Sequence, residues 1–274
     1  MKTRVITGIV LVALISAVIW LGGWWLRGVA LFLMLMSMHE MYAAYRKKGL
    51  RPVPVGLALA PLLLLCALIL PEERLMEAAV SLTALLTAVG VGAIVLRGQV
   101  DGARLQATLL PLIYPGVFYI LLFDLTFAGA GMPLTLLFVL LFLVPSMNDC
   151  FALFTGMACG KHKLSPHISP KKTIEGSVGG LAAAVVFAML LPRLVCFLYG
   201  ADASVLAPMW YYALFGLMAG ALSQIGDLAA SLVKRDCGVK DFGKIFPGHG
   251  GVMDRLDGIL FATLACHVFF RVIG

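Results

Sequence analysis

Apolar residues run through this chain in long blocks separated by short polar stretches, unlike the face-by-face alternation of a water-soluble domain. Charge-free runs cover Val5–Leu26, Pro52–Pro71, Ala78–Leu96, Leu105–Phe123, Leu125–Asn148 and Ala203–Gly226. Each is near the roughly 20 residues a helix needs to cross a bilayer. Three more stretches qualify with reservations set by single charges. Gly28–Tyr45 is apolar up to His39-Glu40, Gly176–Tyr199 carries Arg193 near enough to an end to snorkel, and Gly258–Gly274 is short, with Arg271 near its end. The pattern predicts an all-α, polytopic membrane protein of about nine transmembrane helices. The run after Met1-Lys2-Thr3-Arg4 is too long for a signal-peptide core and lacks a small-x-small cleavage site, so it reads as a retained first span. Trp24 and Trp25 at its end suit a membrane interface.

Composition agrees with this picture and narrows it. Of 274 residues, 13% are charged and 61% hydrophobic, against roughly 25% charged in soluble domains. A water-soluble globule is excluded, and so is intrinsic disorder, which requires low hydrophobicity and high charge. The six cysteines (Cys66, Cys150, Cys159, Cys196, Cys237 and Cys266) show no paired or metal-ligand spacing, which argues against a disulfide framework. A net charge of +7 in such a chain points to loops facing anionic headgroups and not to nucleic acid.

The placement of the cations orients the molecule. With nine spans the loops alternate, and 17 of the 21 Lys and Arg residues fall on one side, leaving Arg27, Arg74, Arg193 and Arg271 on the other. By the positive-inside rule the N-terminus and both long polar segments are cytoplasmic and the C-terminus lies outside. The chain divides into N-terminal helices (1–144) and a C-terminal catalytic region (145–274) with cytoplasmic loops at 149–176 and 227–258.

Those two loops hold most of the polar chemistry. Within Ser231–Asp257, 9 of 27 residues are charged, and glycines stand at 238, 243, 248, 250 and 251. A merely solvated connector has no need of that glycine density, whereas a backbone that approaches an anion does. Asp227 follows an apolar run and precedes another, so it sits on a helix at the membrane boundary. Acids at such depth are paired or functional, the plain alternative being an ion pair with Lys234 or Arg235. Asp254 and Asp257 share one face of a helix start. Carboxylates from two helices make a hard-oxygen site suited to Mg²⁺. Lys234, Arg235, Lys240, Lys244, His249 and Arg255 surround them with positive charge. Acids for a metal and cations for phosphates are what phosphoryl or nucleotidyl transfer requires.

Weaker patterns carry less. Gly156-x-x-x-Gly160-Lys161-His162 falls one residue short of a Walker A loop and lacks its Ser/Thr. Asp101-Gly102-Ala103-Arg104 is a faint echo of CDP-alcohol phosphotransferases, with the wrong spacing. His39-Glu40 reads as a helix-end pair facing other helices in preference to a headgroup contact. His162, His167 and His267 lack metal-ligand spacing, and Met34, Met36, Met38 and Met41 read as filler between helices or toward lipid.

The segment Ser231–Asp257 resembles the signature of the phosphatidate cytidylyltransferases, or CDP-diacylglycerol synthases. The resemblance rests on Ser231, Lys234-Arg235, Lys240-Asp241, His249-Gly250-Gly251, Asp254-Arg255 and Asp257. Ser223-Gln224-x-Gly226-Asp227-Leu228 and Ser169-Pro170-Lys171-Lys172-Thr173-x-Glu175-Gly176 resemble further family blocks, so that about residues 145–260 are covered. Leu153 and Met157 depart from the family pattern, which usually has an aromatic and an Arg at those positions. The resemblance implies condensation of CTP with phosphatidate, releasing pyrophosphate, with Mg²⁺ as cofactor, in a bacterial inner membrane; a homodimer is left open. It implies Asp227 and Asp254 as metal ligands, with Lys240, Asp241 and Asp257 beside them in catalysis. Lys234, Arg235 and Arg255 would hold phosphates, the His249-Gly250-Gly251 turn would cradle one, and Asp149, Lys171, Lys172, Thr173 and Glu175 would close the site from the first loop. The alternatives are another CTP-dependent lipid or polyprenol kinase and an ion-coupled transporter. The transporter would need acids deep in several spans, whereas the acids here gather at one face.

Overall fold

The computed structural model describes residues 2–273 apart from 97, 99, 100, 130, 247 and 249, with the backbone alone for 2–7, 9, 272 and 273. His249 and Arg97 therefore lie outside the described residues. The helices are α1 (Lys2–Leu21), α2 (Gly23–Lys47), α3 (Leu59–Ile69), α4 (Leu75–Val95), α5 (Gly102–Pro111), α6 (Phe118–Leu125), α7 (Met132–Cys159), α8 (Ile174–Leu198), α9 (Met209–Asp236) and α10 (Met253–His267). Between α7 and α8 lies an antiparallel hairpin, β1 (Lys163–Ser165) and β2 (Ser169–Thr173). This small hairpin is an addition to the expected all-α framework.

Among the described residues, five helical segments are long and apolar enough to cross a membrane: Glu72–Val95, Gly102–Leu125, Met132–Cys159, Ile174–Leu198 and Met209–Asp236. Val10–Leu21 and Val55–Ile69 are shorter apolar helices. Large apolar side chains such as Phe197, Leu198 and Trp210 stand exposed along these elements, as they do where lipid replaces water as the solvent. The chain is an all-helical membrane protein in its framework.

Helix boundaries differ from the charge-free runs in a consistent way. The run expected at Leu125–Asn148 becomes α7 at Met132–Cys159, because Gly129 and Gly131 take positive φ (99° and 70°) and Pro occupies the first turn after them. At the other end no breaker stops the helix at the first charge, so Asp149 lies on α7 and not in a loop. Likewise α9 continues through Asp227 to Asp236, ending on Lys234 and Arg235, which suit a helix C-terminus. The polar segments expected at 149–176 and 227–258 shrink accordingly to the β-hairpin connection and to residues 237–252.

The described chain forms two compact units, each built from two stretches of sequence. The first comprises Met1–Phe127 and Lys234–Arg255. Its centre is α2, whose Met34, Met38, Met41, Tyr42 and Ala44 are fully buried, so the methionines fill space between helices and do not face lipid. The Tyr42 hydroxyl donates to the Thr108 carbonyl (3.0 Å) and accepts from the Gly56 N–H (3.0 Å). Ser37 and Tyr119 share a hydrogen bond of 2.8 Å.

The second unit comprises Ala128–Val233 and Leu256–Gly274. Here α7 lies along α8, and small residues set the approach. A Cβ on Gly180 would stand 2.7 Å from the Asn148 carbonyl oxygen, and one on Gly216 would stand 2.7 Å from that of Ala184. In the same way α9 meets α10 at Gly226, 2.5 Å from the Asp257 carbonyl oxygen by the same measure. Small residues at helix crossings are how membrane helices approach closely. Gly180→Ala should therefore force α7 and α8 apart and cost ~1–3 kcal/mol, visible as a lower midpoint in circular-dichroism melts of the detergent-solubilised protein.

Candidate active site

Two clusters of charged and amide side chains stand at the helix ends, one in each unit. In the first unit the 237–252 segment wraps around two carboxylates. Asp254, in the first turn of α10, has a side chain only 2% exposed. Its Oδ2 accepts the backbone N–H groups of Phe242 (2.8 Å) and Gly251 (3.0 Å), and its Oδ1 accepts from Lys234 Nζ (3.0 Å). The same ammonium lies 5.5 Å from the centre of the Phe242 ring, within cation–π range. From α2, Glu40 accepts the N–H groups of Val252 (3.0 Å) and Met253 (2.9 Å). It thereby caps the start of α10, where the unsatisfied N–H groups and the positive end of the helix dipole favour an anion.

Glycines make this geometry attainable. A Cβ on either Gly243 or Gly251 would collide with the Glu40 carboxylate, and one on Gly250 would stand 2.8 Å from Asp254 Oδ2. Gly250 and Gly248 also take positive φ (82° and 76°), and a bridge from Phe246 to Gly250 closes the turn. Arg255 projects from the first turn of α10 and Lys240, Asp241 and Lys244 from this segment, and all four are exposed. At its foot Lys48 binds Asp236 at 2.6 Å. Burial pushes the neighbouring Cys237 thiol up to about 11, so it is a packing residue and not a nucleophile.

In the second unit an amide network supports two acids. Asn148, fully buried on α7, accepts from Gln224 Nε2 (2.8 Å) and donates to Asp149 Oδ1 (3.0 Å). Gln224 also donates to the Ser177 carbonyl (3.0 Å) and accepts from the Ser177 hydroxyl. Asp149 lies within electrostatic reach of both Asp227 and Lys172. Lys172, on β2, forms an ion pair with Asp227 on α9, and Ser231 Oγ stands 3.5 Å from the same carboxylate. The expected partner of Asp227, if it were only an ion pair, was Lys234 or Arg235. The hairpin brings Lys172 there instead, while Lys234 goes to Asp254.

The hairpin itself is fixed by Thr173 and Glu175. Thr173 caps α8 by accepting the Gly176 N–H (3.1 Å). Glu175 accepts the N–H groups of Lys161 (3.1 Å) and His162 (3.2 Å) and lies 2.6 Å from the His162 ring nitrogen. A Cβ at Gly156, Gly160 or Gly176 would stand within 2.9 Å of the Thr173 side chain. The glycines of the Walker-like stretch are thus spacers that admit Thr173. Thr173 and Glu175 build the loop, while Lys171 is exposed beside it.

A profile of the cytidylyltransferase family matches residues 2–273. The chain belongs to that family. It is 44% identical over 131 residues to a phosphatidate cytidylyltransferase of Brucella abortus, covering 48% of this chain and 45% of that protein. It is similar to the enzymes of the same name from Thermotoga maritima, with 35% identity over 125 residues (46% and 45%), and Staphylococcus saprophyticus, with 40% over 120 residues (44% and 43%). These matches span a little under half the length of each relative.

Within this member of the cytidylyltransferase family, then, Asp149, Lys172 and Asp227 come together in one unit and Lys234, Asp254 and Gly251 in the other. The Gly251 N–H, expected to cradle a phosphate, is held by Asp254 instead. The glycine-rich backbone does embrace anions, but they are the protein's own carboxylates. Sequence reasoning missed Asn148 and Ser177 as supports. Their signal was available in the amides Asn148 and Gln224, polar residues within or at the edge of spans, where polar groups need partners.

The donor chemistry also bears on a divalent cation. Among the described residues no group of three or more His, Cys, Asp or Glu side chains is arranged for a metal. Mg²⁺, however, takes one or two protein carboxylates and completes its shell with water and substrate phosphates. Asp227 and Asp254 each turn a carboxylate oxygen to a lysine ammonium, showing hard oxygens already committed to binding positive charge. Carboxylate oxygens are the donor type such an ion takes.

Proposed function

We propose that this protein is a phosphatidate cytidylyltransferase, joining CTP to phosphatidate to give CDP-diacylglycerol and pyrophosphate. The observation that carries the reading is the pair of lysine–aspartate contacts, Lys172–Asp227 and Lys234–Asp254, at the ends of apolar helices in a chain of the cytidylyltransferase family. Acids and cations at the boundary of a membrane suit a soluble nucleotide and a lipid phosphate meeting there.

In the reaction an oxygen of the phosphatidate phosphate attacks the α-phosphorus of CTP. A new P–O bond forms, the α–β anhydride bond breaks, and pyrophosphate leaves with the bonding electrons. The attacking phosphate is already an anion, so no strong general base is required. Catalysis is then positioning and charge stabilisation. Asp227 in the second unit and Asp254 in the first are each proposed as a carboxylate that would take Mg²⁺, which supplies neutralisation of triphosphate charge when bound. Lys172, Lys234, Arg235, Lys240 and Arg255 would bind phosphate oxygens, with Asp241 and Asp257 orienting those cations. Asn148 would hold Asp149 in place through its amide. The positive-inside distribution supports an N-terminus and both polar segments on the cytoplasmic side of a bacterial inner membrane, with the C-terminus outside.

The test is direct. Purified protein with Mg²⁺, CTP labelled at the α-phosphorus and phosphatidate vesicles should yield a labelled lipid and release one pyrophosphate per lipid formed. Absence of labelled lipid, or labelling of a polyprenol in place of phosphatidate, would overturn the reading.

A further inference from the structure

Glu40 stands far from the motif residues in sequence, yet its carboxylate is where the 237–252 segment is tied down. It is 4% exposed, both of its oxygens accept backbone N–H groups, and two glycines of the segment lie so close that neither tolerates a Cβ. Its two acceptors hold Val252 and Met253, immediately before Asp254, while Asp254 holds Gly251 and Phe242. The two carboxylates together fix four backbone N–H groups of one connection, and the Asp254 carboxylate in turn fixes Lys234.

We propose that Glu40 is a positioning residue for the reaction. From α2 it sets the path of the 237–252 segment, and through it the orientation of Asp254 and the placement of Lys240 and Lys244. The inference rests on the cytidylyltransferase reading for its kinetic part and on geometry alone for its structural part. Both oxygens of Glu40 face donors, so a glutamine can satisfy only one of them and turns its own N–H₂ toward the other. Glu40→Gln keeps the volume and loses the anchor. The exposed cations of the segment meet the soluble substrate, so the affected quantity is the KM for CTP.

Two readouts decide this. In nanodiscs, Glu40→Gln should raise tryptic cleavage after Lys240 and Lys244 about tenfold, with cleavage after Lys163 and Lys171 in the β-hairpin unchanged. The KM for CTP should rise several-fold while that for phosphatidate stays at the wild-type value, and Glu40→Asp should recover part of both effects. General destabilisation would speed cleavage everywhere and lower kcat without moving one KM, and that result would overturn the proposal. So would wild-type cleavage and kinetics in Glu40→Gln. If Glu40→Gln does not fold, Gly243→Ala presses on the same carboxylate from the segment side, and unchanged loop cleavage in that variant is equally fatal. Selective loop cleavage in Glu40→Gln, alongside a wild-type protein that makes no labelled lipid, would uphold the anchor and refute the functional reading instead.

Discussion

Asp254→Asn should reduce labelled-lipid formation by roughly a thousandfold and also lower the melting temperature, an unusual combination for an active-site substitution. The structural half follows from burial. The carboxylate is almost wholly enclosed and takes one ammonium and two backbone N–H groups. An asparagine offers one acceptor oxygen and presents its N–H₂ either to Lys234 or to the two amides. One side of the cluster then faces donors with no acceptor. Removing one partner of a buried ion pair costs ~3–5 kcal/mol, and Lys234, with its side chain 14% exposed, is the charge left behind. The catalytic half adds the loss of charge stabilisation, ~10²–10³ for a single group of this kind. Equal melting temperatures for wild type and Asp254→Asn would refute the buried pair.

Asp227→Asn should behave differently, losing ~10²–10³ in rate with little change in melting temperature. The Lys172–Asp227 pair has side chains 26% and 30% exposed, and pairs in contact with water contribute only ~0–1 kcal/mol. What the substitution removes is an anionic oxygen beside Asp149 and Lys172. The concentration of Mg²⁺ giving half-maximal rate should therefore rise, which a titration of activity against Mg²⁺ in wild type and variant would measure. A variant that keeps near-full rate, or an unchanged magnesium requirement, would remove Asp227 from the metal site. Comparing the two aspartates separates groups that hold the fold from groups that serve only the chemistry.

How much of this is legible in the amino-acid sequence depends on the type of interaction. The blocks of apolar residues announced helices for a membrane, because hydropathy is additive along a segment and needs no partner. Helix ends were not legible in the same way. Asp149 and Asp227 mark where charge begins, but a backbone stays helical until glycine, proline or a cap stops it, so α7 and α9 carry both acids past the apolar run. The lysine that meets Asp227 is not legible in sequence for a related reason. Lys234 is near Asp227 in sequence, yet the β-hairpin between α7 and α8 brings Lys172 to it, and no local pattern encodes that meeting. The glycine density of Ser231–Asp257 points to a backbone close to a phosphate, whereas the anions it meets in the structure are the carboxylates of Glu40 and Asp254. Glu40 itself could not be connected to the segment, since nothing in a single sequence pairs residue 40 with residue 252.

That last separation has a consequence for how the protein is made. Glu40 meets its backbone partner 212 residues later, and the first unit is completed by Lys234–Arg255 only after the whole stretch 128–233 has been synthesised. At bacterial and eukaryotic synthesis rates of roughly 5–20 residues per second, the interval is on the order of 10–40 s. During it α2 carries an acid with no cap to make, and the nascent first unit lacks its closing segment. A ribosome stalled before residue 234 would leave a half-built unit already threaded into the membrane, a natural client for the quality-control proteases that patrol it.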